Sequence, residues 1–253
     1  MKRVLQIAVS ALLVAGMVGC ASKKAPEVKK EPLHWGYGEL NGPLHWADLN
    51  PAYHMCKEGK NQSPVDINNT RAIAKKHIRF RYFMGGEKIV YNGHAVEVEY
   101  LPGSLITIDG HTFELKQFHF HTPSEHTVEG KHFPMEVHFV HVDKNGNIAV
   151  LGLFIEEGAE NLELAKLLSA FPLKEGESKK LARLANASAL MPMDVDYYRY
   201  NGSLTTPPCS EGVLWAVFKK RVTASPAQIA AFSKIMGANN RPVRPINARL
   251  ITK

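Results

Sequence analysis

The sequence contains no internal repeat, no collagen-like or disorder-prone composition, and no linker within residues 32–253, so one domain is expected there. It also lacks a good membrane span. The apolar stretch at 4–18 follows Lys2 and Arg3 and stops at Gly19-Cys20, too short to cross a bilayer but right for a secretory signal at 1–19. No basic block falls inside the domain. The net charge is +7, of which Lys2 and Arg3 supply +2 and the tether at 20–31, with four lysines against two glutamates, another +2. The +3 left for 32–253 is ordinary solvation, and no nucleic-acid partner is expected. Metallohydrolase signatures are missing as well: there is neither an H-E-x-x-H nor the P-C-x-x-C of zinc deaminases. What remains is a 253-residue chain, 45% hydrophobic, able to bury a sizeable core.

Its most informative stretch is 117–141, Q-F-H-F-H-T-P-S-E-H-T-V-E-G-K-H-F-P-M-E-V-H-F-V-H. Period-two alternation puts Gln117, His119 and His121 on one face against Phe118 and Phe120, and then Glu136, His138 and Val140 on one face against Val137, Phe139 and His141. Turn residues between the two runs suggest a hairpin-like return. If these strands are neighbours, three imidazoles share one space. Three neutral imidazoles with a fourth position open are the ligand set of a catalytic zinc. Gln117 and Glu136 then serve as acceptors that fix ring tautomer and orientation. A lone histidine is more often an ordinary core or surface residue, but H-x-H followed by E-x-H, with polar flankers in phase, reverses that expectation.

These segments, Q-F-H-F-H, S-E-H-T-V and E-V-H-F-V-H, resemble the zinc-site strands of the α-class carbonic anhydrases. So do H-W-G-Y-G-E-L-N-G-P-L-H-W, G-K-N-Q-S-P-V-D-I, G-S-L-T-T-P-P and the closing N-N-R-P-V-R-P-I-N-A-R. The likeness runs from about His34 to the C-terminus. It implies a mostly β fold, with a large twisted, mainly antiparallel central sheet and a few short surface helices. It also implies reversible hydration of carbon dioxide to bicarbonate and a proton by attack of a zinc-bound hydroxide.

Carried over residue by residue, the resemblance makes His119, His121 and His138 the Zn2+ ligands, with Gln117, Glu136 and Asn239 as their polar partners. Thr205 and Glu125 become the relay that directs the hydroxide, because an ionised carboxylate only accepts and so sets the direction of the threonine hydroxyl. His94 becomes the proton shuttle, a role suited to imidazole near neutrality, with Asn92 and Tyr37 ordering water. Val140, Val150, Leu204, Thr206, Val213 and Trp215 surround the substrate. Glu97 departs from the neutral amide of many relatives; either its charge raises the pKa of His94 or it points away, and alternation counted from His94 favours the second. The other histidines are given no metal role. The family further implies inhibition by sulfonamides and small anions and, by analogy with bacterial members, a possible homodimer. Two rivals are a non-catalytic lipoprotein of this family and an unrelated zinc hydrolase. Retention of all three histidines, Glu125 and Thr205 argues against the first, and the missing motifs against the second.

Gly19-Cys20 resembles a lipobox, which makes Cys20 the lipidated residue of an exported envelope lipoprotein, in the outer membrane of a Gram-negative host. The only membrane contact expected is through that anchor. Cys56 and Cys209 are then an even pair in an oxidising compartment, where a disulfide is the default. Strands are expected at 77–82, 88–91, 95–100, 104–108, 112–115 and 148–154, with a hairpin turn at Asp109-Gly110. Helices are expected at 161–170, at 225–236 with Ser225, Pro226 and Gln228 as its start signals, and more weakly at 178–189.

Overall fold

The computed structural model describes residues 34–73 and 77–253. The signal, Cys20 and the tether lie outside the described residues, whose compact unit falls within Pro32–Lys253. Most of it is one eleven-stranded sheet. Its main path runs through Ser178–Ala185, Gly86–Tyr91, Val96–Tyr100, His111–His121, Met135–Val142, Ile148–Glu157, Glu211–Phe218 and Tyr197–Ser203. Pairing is antiparallel throughout this path except where Glu211–Phe218 runs parallel to Ile148–Glu157. Strand expectations between 77 and 154 are met. The Asp109-Gly110 turn has φ of 53° and 87°, as a two-residue hairpin with both central residues left-handed requires.

Each central strand is buried on both sides by different partners. Phe118, Phe120, Val137, Phe139, Leu151 and Leu153 join the larger core, which also takes in Leu164, Leu167 and Phe232 from the helices. Val150, Phe154, Val213, Trp215 and Val217 form a second core on the opposite face. A one-residue bulge decides which histidines meet which core. Leu115 pairs with His141 but Gln117 with Val140, so Lys116 is extra. Before the bulge the odd residues Phe113 and Leu115 face the larger core; after it the even residues Phe118 and Phe120 do. The phase change turns Gln117, His119 and His121 toward the other face.

The helix Pro226–Met236 begins as its sequence predicts. Gln228 N–H donates to Ser225 Oγ at 3.3 Å, and the Gln228 side chain accepts from Ser225 N–H at 3.1 Å. Leu162–Leu168 is capped by Asn161. The helix expected at 178–189 is not formed. Ser178–Ala185 is an edge strand paired with Gly86–Tyr91, followed by the short helix Ala187–Leu190. Its Lys, Leu, Ala and Arg residues are good helix formers, but intrinsic propensity is a weak force that pairing with a free sheet edge outweighs, while lysines and an arginine on the edge discourage further pairing. The N-terminal region contains brief turns of helix at Trp46–Leu49 and Met55–Glu58. Cys56 and Cys209 form the expected disulfide across 153 residues of sequence. In a chain-entropy treatment a loop of that length gives roughly 5 kcal/mol.

One histidine away from the site carries a pH consequence. His141 is fully buried on the larger-core side of its strand, donates from Nδ1 to Ala149 O at 3.3 Å, and is pushed down to about 3 by burial. Its folded pKa lies below its unfolded value, so its contribution is complete above about pH 6.5 and is lost as pH falls. Between pH 6.5 and 4 that loss is roughly 3 kcal/mol. Urea unfolding of wild type should therefore weaken over this range by about that much more than unfolding of His141→Gln; parallel pH curves would refute it.

Candidate metal centre

Three imidazoles converge where the central strands run side by side. His119 pairs directly with His138 across the strands, and His121 with Glu136, so all three rings leave the same face. One nitrogen from each of His119, His121 and His138 lies within 4.8 Å of the others. Each ring is oriented by a bond from its second nitrogen. His119 Nδ1–H donates to Gln117 Oε1 at 2.8 Å, His121 Nδ1–H to the Asn239 carbonyl at 2.9 Å, and His138 Nε2–H to Glu136 Oε1 at 2.9 Å. The inward nitrogens are therefore Nε2, Nε2 and Nδ1, each with its lone pair free. His121 Nε2 is buried without a partner, a costly arrangement unless something binds there. Burial, and then the neighbouring imidazoles, keep His119 well below its usual pKa; burial also lowers His121. Burial would lower His138 too, but Glu136 outweighs it and raises the ring's basicity. This donor set fits a metal ion.

Glu136 organises more than His138. Its Oε1 also accepts from His126 Nδ1–H at 2.7 Å, and its Oε2 from the backbone N–H groups of Glu125 and His126, both at 2.9 Å. Burial alone would raise its pKa, yet His126 and His138 hold it well below the usual carboxylate range. With His126 Nδ1 protonated, its Nε2 accepts from the Tyr200 hydroxyl at 2.6 Å, and Tyr200 in turn accepts from Ser63 Oγ at 2.9 Å. A Cβ at Gly152, which faces His138 on the next strand, would sit 2.9 Å from Glu136 Oε1. Sequence reasoning missed His126, Tyr200 and Ser63. Only the adjacency of His126 to Glu125 hinted at it, because no spacing relates these positions.

Glu125 is also buried. Its Oε1 accepts from the Arg241 backbone N–H at 2.8 Å, while Oε2 has no hydrogen-bond partner and lies 3.6 Å from His121 Nε2 and 3.8 Å from His138 Nδ1. Thr205 is buried on the loop that Cys209 ties to Cys56, but no hydrogen bond joins it to Glu125 Oε2. Asn239 is fully buried; its Oδ1 accepts from Thr122 N–H at 2.8 Å, and its Nδ2 donates to the carbonyls of His94 and Phe120.

A cavity of about 120 Å³ opens over the centre, lined by Trp35, Tyr37, Asn92, His94, Glu97, Gln117, His119, His121 and Thr206, among others. A larger depression of about 570 Å³ nearby holds none of the three imidazoles, so size does not locate the site. Burial, then Glu125, raises Tyr37 well above 10 and keeps it a neutral phenol. Val140, Val150, Leu204, Val213 and Trp215 share the second core, and the Trp215 ring meets His138 edge-on at 4.9 Å. Glu97 does not point away. Gly93 and His94 form a bend before the strand Val96–Tyr100, so alternation cannot be counted across it, and Glu97 pairs with His119. Glu99 is drawn off by Lys88 at 2.7 Å, leaving Glu97 as a cavity carboxyl raised by burial and then by Glu99.

Comparisons with known proteins agree with this geometry. Residues 41–253 match the family described as eukaryotic-type carbonic anhydrase. Carbonic anhydrases of Pectobacterium carotovorum and Klebsiella pneumoniae are 41% and 44% identical, over 87% and 86% of this chain and 91% and 90% of theirs. The α-carbonic anhydrase of Thermovibrio ammonificans, solved with the inhibitor sulfanilamide, is 51% identical with a TM-score of 0.86, covering 87% of this chain and 99% of that one. On a likeness that spans sequence, fold and the three histidines, the chain belongs to the eukaryotic-type, or α-class, carbonic anhydrases.

Proposed function

We propose that this protein hydrates carbon dioxide reversibly to bicarbonate and a proton, with zinc held by His119, His121 and His138. The observation that carries the reading is the convergence of three imidazole nitrogens, each oriented from behind, beneath a small cavity. When bound, zinc supplies the Lewis acidity that makes water a nucleophile near neutral pH, lowering its pKa to about 7, a magnitude known for carbonic anhydrases generally rather than derived for this chain.

The rest is the work of the chain. Glu125 Oε2, which has no hydrogen-bond partner in this structure, would accept from the Thr205 hydroxyl, whose lone pairs would then face the nucleophile and set its direction. Val140, Val150, Leu204, Val213 and Trp215 give carbon dioxide a dry wall on one side, with Thr206 at the cavity edge. Gln117, Glu136 and Asn239 hold the ligand rings, and Tyr37 and Asn92 order water on the polar side. His94 takes up the proton released in each turnover. Sulfonamides and small anions compete at the same centre, a reading supported by the sulfanilamide complex of the Thermovibrio relative.

The chain is read as exported and lipidated at Cys20, its domain tethered in the periplasm or at the outer membrane. The disulfide supports an oxidising compartment. The deciding experiment is stopped-flow carbon dioxide hydration by the full chain before and after chelation. Activity should vanish with the metal and return with added zinc. A zinc-loaded but inactive protein would refute the catalytic reading and favour a binding lipoprotein.

A further inference from the structure

We propose that Glu97 makes the wall of the metal cavity selective for charge, so that ligands of the centre with a cationic tail are favoured and those with an anionic tail are turned away. This rests on the reading above that sulfonamides reach the metal centre. Glu97 is the only carboxylate lining the cavity, and no lysine or arginine lines it. It is half-buried, so its charge acts on a ligand through little intervening water.

Strand pairing leaves that charge without a counter-ion. On one side Glu97 faces Val90, and on the other His119. The Cβ atoms of such pairs lie about 5 Å apart, which sets the carboxyl beside a ligand imidazole at the cavity wall. Lys88 is the one cation whose charge favours its ionisation, and Lys88 is drawn to Glu99 at 2.7 Å. No hydrogen bond from another described residue reaches the Glu97 carboxyl.

The other titratable groups on the wall are neutral. Burial, then His34, whose Nε2 lies 3.0 Å from His94 Nε2, pushes His94 down to about 4, and burial, then Glu125, keeps Tyr37 a phenol. Selectivity is a difference between two affinities, and a repulsive element produces it as well as an attractive one. A metal ion draws in every anion alike; Glu97 opposes the anionic tail and holds the cationic one. A unit charge about 8 Å from the carboxylate, at an effective dielectric constant of about 20–40, changes affinity by roughly five- to thirtyfold.

The test is isothermal titration of the zinc-loaded full chain with three probes of one shape: sulfanilamide, which is neutral, para-aminoethylbenzenesulfonamide, which is cationic, and para-carboxybenzenesulfonamide, which is anionic. At about pH 8.5, roughly four units above an ordinary glutamate, the Glu97 carboxyl is ionised even though burial and Glu99 raise it. The ratio of anionic to cationic Kd should fall at least about tenfold in Glu97→Gln, while sulfanilamide moves by no more than about twofold. Glu97→Asp keeps the charge and should keep most of the ratio. An unchanged ratio in Glu97→Gln, or a ratio lost equally in Glu97→Asp, would overturn selection by charge. Wild type that binds none of the three probes would remove the sulfonamide reading and this proposal with it. Sulfanilamide bound normally, with a ratio indifferent to Glu97, removes the proposal alone.

Discussion

Replacing His119 by Ala should abolish carbon dioxide hydration, a loss of at least about 10⁴-fold, and remove most of the bound zinc. Among the described residues His119 is one of three imidazoles that converge as the proposed ligands, and its Nδ1–H is committed to Gln117. His126 is the nearest other buried imidazole, yet both of its nitrogens are occupied, by Glu136 and by Tyr200. The fold should survive. Only one net hydrogen bond is lost, at a partly exposed position, at a cost of about 1 kcal/mol. Metal content and unfolding should therefore separate cleanly, with the variant folded, zinc-poor and inactive. Full activity in that protein would disprove the ligand assignment.

Glu136→Ala should be the more damaging change to the molecule as a whole. Its carboxylate receives four hydrogen bonds inside the protein, from two imidazoles and two backbone N–H groups. Deleting it leaves all four donors buried without an acceptor. A buried charged network broken from one side costs about 3–5 kcal/mol. It also frees His138 to turn, which for an outer partner of a metal ligand is worth about 10–100-fold in affinity. Because the same carboxylate pins the Glu125 backbone, kcat should fall even at saturating zinc. Zinc titration together with urea unfolding checks both parts; an unchanged unfolding midpoint would show that the network is not structural.

Much of this site was legible because its information is local. Alternation in 117–121 and 136–140 depends only on the pleat of a strand, and it correctly put Gln117, His119 and His121 on one face of their strand and Glu136, His138 and Val140 on one face of theirs; strand pairing makes these the same face of the sheet. The start of Pro226–Met236 and the Asp109-Gly110 turn were readable for the same reason: a cap or a tight turn is completed within a few residues.

Other features required partners far away in the chain. Ser178–Ala185 became a strand because Gly86–Tyr91 offered an edge, and no property of its own residues announces that edge. Glu97 faces the cavity because a bend at His94 resets the alternation, and because its strand docks beside His119. Which nitrogen of each histidine points inward was settled by Gln117, the Asn239 carbonyl and Glu136, and Asn239 is 118 residues from His121. The sequence by itself determined the candidate ligands and the face of its own strand that each occupies, since both follow from residue type and a two-residue period. Tertiary structure alone decided tautomer, the bridging of Glu136 and the pairing of His34 with His94, since a hydrogen bond is specified only when both of its ends are in place.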